Sequence, residues 1–161
     1  MAHKIEVAMQ RNTPDPAGES VRAQLAEDIG VSVDEIRVID VYTINADLSS
    51  EELELVRTEL LTDPIIQESV TDQSIAQGYD YLIEVGFRPG VTDNVGKSAA
   101  EGVADTLGRA GRGRSCLQVH SVCAAGRFIP RNLRTYRTRC AGQRSDRALD
   151  SGNAEIGRAH V

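Results

Sequence analysis

IEVAMQRNTPDPAGESVRAQLAEDIG, residues Ile5–Gly30, recurs 78 residues later and without a gap as IEVGFRPGVTDNVGKSAAEGVADTLG, residues Ile83–Gly108. Identical pairs include Ile5/Ile83, Glu6/Glu84, Val7/Val85, Asp15/Asp93, Gly18/Gly96, Ser20/Ser98 and Gly30/Gly108. Most other pairs keep their physical role, so the chain carries two copies of one supersecondary unit. Each is too short to bury an adequate core alone, and the two are expected to share one.

In the first copy, Ile5, Val7 and Met9 alternate with Lys4, Glu6, Ala8 and Gln10, the period of a strand with one buried face. Asp15-Pro16 then starts a helix: the carboxylate accepts a free N–H of the first turn, and proline gives up a donor that had no partner. Val21, Leu25 and Ile29 line one helical face, and Gly30 supplies the left-handed stop. Residues Glu35–Ala46 are β-branched enough for one bent strand or two short ones. Ser49 with Glu52 makes a capping box for a second helix, striped by Leu53, Val56 and Leu60 and ended by Asp63-Pro64. Ile65–Val70 is the expected closing strand.

This β-α-β(β)-α-β order over residues 1–72 predicts a ferredoxin-like α+β unit. Residues 73–80 read as a linker. Residues 81–110 repeat the first half of the unit, with Ile83, Val85 and Phe87 inward, Asp93 as helix cap, and Ala99, Val103 and Leu107 as the stripe. The fold class expected is therefore α+β: tandem ferredoxin-like (β-α-β-β-α-β) units, the second incomplete, followed by an irregular or disordered tail over 111–161.

Charge divides at the same place. The 161 residues hold 18 Lys+Arg and 24 Asp+Glu, a net charge of −6. Residues 1–110 carry 8 basic and 21 acidic groups, whereas residues 111–161 carry 10 and 3, and all ten basic residues there are Arg. The acidic body argues against nucleic acid as a partner. With 4% aromatic residues and no Trp, the core must be built from Val, Ile, Leu and Ala. No signal sequence opens the chain and no run approaches the ~18 apolar residues of a membrane span, which predicts a soluble, cytoplasmic protein without a membrane partner. Cys116, Cys123 and Cys140 are odd in number and give no disulfide framework.

Beyond Gly108 neither period 2 nor period 3.6 persists. Arg without Lys, in a segment that abandons a repeat midway, is what a GC-rich gene yields when read out of frame. Synonymous codons exist with which the neighbouring frame reads LSRETCEHIARDVLANAAIERW. That string lies ungapped on Leu48–Ser69 and keeps apolar residues opposite Leu53, Val56, Leu60, Leu61, Ile65 and Ile66. An incomplete second unit would leave an open sheet edge and an unpaired helix, so either self-association, as a homo-oligomer, or poor stability is expected.

With both copies in view, the chain resembles the small structural subunit of phosphoribosylformylglycinamidine synthase, through Lys4-Ile5-Glu6-Val7, Asp15-Pro16-Ala17-Gly18, Ile36-Arg37-Val38 and Leu60-Leu61 to Ile65-Ile66. The tandem form is similar to the N-terminal region of fused, long synthases, where two such units pair as a pseudo-dimer. The resemblance covers roughly Ala2–Gly108. It implies a non-catalytic module of purine biosynthesis that bridges the glutaminase and synthetase parts of a ligase. The parent enzyme uses ATP, Mg and glutamine, and this chain itself binds no cofactor. No catalytic, cofactor-binding or metal residue is carried over.

Other motifs read more plainly. Cys116, His120, Cys123 and Cys140 have zinc-ligand chemistry, but their C-x₃-H-x₂-C-x₁₆-C spacing lacks a C-x₂-C knuckle. Arg112, Arg114, Arg127, Arg131, Arg134, Arg137 and Arg139 would suit phosphate contacts if the tail were a genuine arm, which makes nucleic-acid binding one competing function. A free-standing regulatory or small-ligand-binding module is another, and a pocket between the units would favour it. Gly86-Phe87-Arg88-Pro89-Gly90 fits no phosphate loop, since Gly96-Lys97-Ser98 lies inside the predicted helix, and it reads as a turn. His3 reads as solvated, and Glu51, Glu52, Glu54 and Glu59 as the wet side of the second helix.

Overall fold

The alternation at the start of the chain produces β1 (Ala2–Met9), with Ile5 fully buried and Val7 nearly so. Asp15 caps α1 (Pro16–Gln24), which runs into a π-helical turn, Leu25–Ile29, and stops at Gly30 with φ +69°. The short β2 (Val31–Ser32) precedes β3 (Glu35–Asn45). The Ser49/Glu52 capping box opens α2 (Ser50–Leu55), continued by the π-helical turn Val56–Leu61, and β4 (Gln67–Thr71) follows. After the linker come β5 (Tyr81–Gly86), α3 (Asn94–Thr106), β6 (Ser115–Ala125), β7 (Ile129–Pro130) and β8 (Glu155–His160). The computed structural model describes residues 2–88, 90–108, 115–125, 129–130 and 155–160, the last two stretches and Cys123 as backbone only.

These elements make a mixed α+β fold. A six-stranded sheet runs in the order β4-β1-β3-β6-β5-β8, antiparallel except for the parallel β5–β8 pair, and β2 pairs with β7 apart from it. The first unit contributes three strands to this sheet, because Glu35–Asn45, read as one bent strand or two short ones, is a single strand. Its second edge is occupied along its whole length by β6, from Glu35↔Ala125 to Asn45↔Ser115.

That strand also corrects the reading of the tail as irregular, since residues 115–125 form the centre of the sheet. Its period was hidden because polar Gln118 and Ser121 are buried while Leu117 is 50% exposed. Backbone pairing with β3 holds the strand where side-chain alternation does not. The rest of the tail is described only over 129–130 and 155–160, where β8 pairs in parallel with the outer edge of β5.

Both helical stretches of the first unit and α3 lie on one face of the sheet. Ile5, Val7, Ile44, Leu53, Val56 and Val103 form one apolar cluster there; Val31, Val33 and Ile36, packed by Val21 and Leu25, form another. Ile29 falls outside the expected stripe and is 46% exposed. The opposite face is covered by the linker, where Ile75 packs on Ala8, Ile39 and Val41. Buried Glu6 holds the linker down by accepting hydrogen bonds from Ile75 N (2.7 Å) and Ser74 Oγ (3.3 Å).

The second unit does not bury what the first does. Ile83 and Phe87, expected inward, are 44% and 42% exposed. Ile5 lies among residues that include Leu53 and Val56 of the second helical stretch, and among the described residues the second unit has no counterpart of that stretch.

Candidate functional site

The shared feature of the two units is a clamp between helix start and strand. Asp15 Oδ1 accepts from Gly18 N (2.9 Å) inside α1, and its Oδ2 accepts from Val38 N (2.9 Å) on β3. Asp93 repeats this with Gly96 N (2.7 Å) and Gln118 N (2.7 Å) on β6. Each carboxylate therefore satisfies an orphan helix donor and a strand N–H together. The glycines allow it, because a Cβ at Gly18 or Gly96 would collide with the carbonyl oxygen of Ile36 or Cys116. The strand partners are 80 residues apart where the cap residues are 78 apart, so the stretch of sequence between them is two residues longer in the second unit.

With that shift the sheet has an internal two-fold relation. The pairs Ile5↔Tyr42 and Ile83↔Val122 are equivalent, and the centre of the β3–β6 ladder falls on Asp40↔His120, residues that are themselves equivalent. His120 Nδ1 donates to Asp40 Oδ1 at 2.7 Å, and Gln118 Nε2 reaches the same oxygen at 3.3 Å. Opposite charges on the axis favour pairing of unlike units, whereas two copies of β3 would set Asp40 against Asp40.

Around this seam the titratable groups are tuned in different directions. The hydrogen bond that His120 donates to the Asp40 carboxylate holds its imidazole above its ordinary value, against the opposing effect of burial. Burial pushes the Cys116 thiol up to about 11, with help from the charge of Asp93, so it remains a thiol rather than a nucleophilic thiolate. Tyr42 is pushed up to about 12, chiefly by burial. The seam holds the His120 imidazole toward its charged form and the thiol and phenol in their neutral forms, so the cluster offers no activated nucleophile.

A pH dependence follows. The folded value of His120 lies above the ordinary 6.5, so its pair with Asp40 contributes fully below about that pH and fades as pH rises through the raised value. Their side chains are 51% and 35% exposed, and screening keeps the contribution under about 1 kcal/mol. Urea midpoints at about pH 6 and about pH 8.5 should differ more for the native chain than for His120→Gln. Equal differences would mean that the pair contributes nothing.

The remaining candidates are dispersed. Cys116 and His120 lie four residues apart on one strand, roughly 13 Å at the strand rise, too far to ligate one zinc ion. Cys140 and Arg112, Arg114, Arg127, Arg131, Arg134, Arg137 and Arg139 lie outside the described residues. His3 is partly buried rather than fully solvated: its side chain is 18% exposed, with Nδ1 3.4 Å from Asp72 Oδ2, and Asp72 turns the chain out of β4 at φ +51°. Of the acidic helix residues, Glu52 completes the cap and Glu54 pairs with Arg57, while Glu51 and Glu59 are exposed. Gly86-Phe87-Arg88 and Gly90 lead into Asp93, whose carboxylate already occupies a helix donor.

Arg37 was legible only as an arginine inside an apolar strand. Its buried guanidinium donates through Nη2 to Met9 O and to the Glu68 carboxylate, tying β1, β3 and β4 together. Burial opposes its charge, yet Glu68 and Tyr79 hold it above the ordinary value. A cleft of about 180 Å³ beside the start of α1 mixes Arg11, Arg22 and Arg37 with Asp15, Asp34 and Glu35, so it presents no single sign of charge to a ligand. Among the described residues no helix is long and apolar enough to cross a membrane. In comparisons with known protein families, curated proteins and solved structures, the chain matches none.

Proposed function

We propose that this chain is a non-catalytic bridging module of phosphoribosylformylglycinamidine synthase, acting in the cytoplasm to hold a glutaminase and an ATP-using synthetase in register. In this reading the two units are ferredoxin-like and work as a fused pseudo-dimer. The observation that carries the proposal is the continuous β3–β6 ladder, which joins the two halves about a two-fold relation centred on Asp40 and His120. A pair of units bonded along 11 residues of strand is a rigid spacer, as a bridge requires. The seam chemistry is consistent with that role, because its thiol and phenol stay protonated and its carboxylates are engaged in holding structure. ATP, Mg and glutamine belong to the partner domains. An out-of-frame origin for residues 111–161 is at odds with this ladder, because β6 (Ser115–Ala125) fills the centre of the sheet, and the nucleotide sequence through the codon for Ala110 tests it.

The functional experiment adds the purified chain to the separate glutaminase and synthetase. Co-elution of the three, with glutamine-dependent amidination of formylglycinamide ribonucleotide appearing only when the chain is present, is the expected result. No complex and no change in rate would remove the proposal.

A further inference from the structure

The linker is fixed firmly at its two ends and lightly between them. At the first end stands Asp72, the one non-glycine residue with positive φ among the described residues. Lys4 holds that turn: its N donates to Asp72 Oδ1 (2.8 Å) and its carbonyl accepts from Asp72 N (2.7 Å). At the other end Gly78 has φ +77°, and Asp80 N donates to Ala124 O on β6 (3.0 Å). Between Asp72 and Gly78 no backbone bond joins the linker to the sheet among the described residues. Gln77 N turns back to Ile75 O, and Ala76 N and Gln77 Nε2 turn back to Ser74. What reaches the sheet from residues 73–77 is Ile75 N and Ser74 Oγ, and both donate to one oxygen, Glu6 Oε2. The other oxygen of this buried carboxylate accepts from Lys4 Nζ (2.6 Å).

We propose that residues 73–77 are a strap that lifts off the sheet as a unit, pivoting at Asp72 and Gly78, while the strands beneath stay paired, and that Glu6 is its latch. Few non-glycine residues adopt the backbone of Asp72, and it persists here because Lys4 holds it, which marks the turn as a fixed pivot. Lifting gives up the packing of Ile75 and the bonds to Glu6, a smaller loss than separating strands bonded along their length. It uncovers Ala8, Ile39 and Val41, and Leu117 and Val119 continue that face on β6. The molecule thus carries, on its central strands, an apolar face that one short segment hides or displays. The inference does not depend on which enzyme the chain serves.

Native-state hydrogen exchange of the full chain, followed amide by amide from zero to sub-denaturing urea, is the test. Corrected for intrinsic rates, Ile75 N is expected to exchange at least about a hundredfold faster than Ile39 N, with little dependence on urea, because lifting the strap exposes little surface. Glu6→Gln keeps the shape but weakens the acceptor, and should lower protection at Ile75 by about tenfold, more than at Ile39. Ser74→Ala, at an exposed position, removes one of the two bonds and serves should Glu6→Gln fail to fold; it too should lower protection at Ile75 and leave Ile39 unchanged. One shared urea dependence for Ile75 and Ile39 would mean that the strap opens only when the sheet unfolds, and overturns the proposal. Protection at Ile75 unchanged in both variants overturns it as well.

Discussion

Gly18→Ala lowers stability by about 3 kcal/mol and the melting temperature by about 10 °C. The added methyl group would meet the backbone carbonyl oxygen of Ile36 and the carboxylate of Asp15. Ile36, the second residue of β3, is paired with Ala124 of β6, so its carbonyl cannot rotate away without disturbing the start of that ladder, and Asp15 cannot move without releasing Val38 N. The same reasoning applies to Gly96→Ala, whose Cβ would fall on Cys116 O. Gly30→Ala is the internal comparison: its site is open but has φ +69°, so the cost is backbone strain alone, about 1 kcal/mol. Urea unfolding of the three variants measures the difference. Equal losses for Gly18→Ala and Gly30→Ala would show that helix and strand do not approach as closely as described.

Truncating the paired isoleucines should separate the two units. Ile5→Ala removes a side chain with no exposed surface, packed among Leu53, Val56 and Val103, and is expected to cost about 3–4 kcal/mol through lost burial and the remaining cavity. Ile83→Ala, at the identical place in the repeat, is 44% exposed and should cost less than about 1 kcal/mol. The contrast is a direct measure of how far the second unit lacks a covering helix. Comparable losses at both positions would mean that Ile83 is buried in solution, by a second copy of the chain or by part of its own.

The identical residues of the repeat are now explained unevenly. Asp15/Asp93 and Gly18/Gly96 are the parts of the helix–strand clamp, and Gly30/Gly108 both have positive φ. Glu6 anchors the linker. For Ser20/Ser98 the structure offers no physical account.

Local chemistry determined the helix starts at Asp15, Ser49 and Asp93, the stop at Gly30, and the strands β1, β3 and β4 of the first unit. Each depends on residues within a few positions of one another, so each was legible in the sequence. The α+β class followed from their order. Other features came from partners distant in the chain: the placing of β6 against β3, the exclusion of β2 from the sheet, the burial of Gln118 and Ser121, and the Asp40–His120 pair. Backbone hydrogen bonds in a ladder do not depend on side-chain period, so a strand held by its neighbour leaves little trace in its own residues. The different fates of Ile5 and Ile83 make the same point most simply. Identical residues in identical local contexts differ in burial because a helix packs over one, while none among the described residues packs over the other.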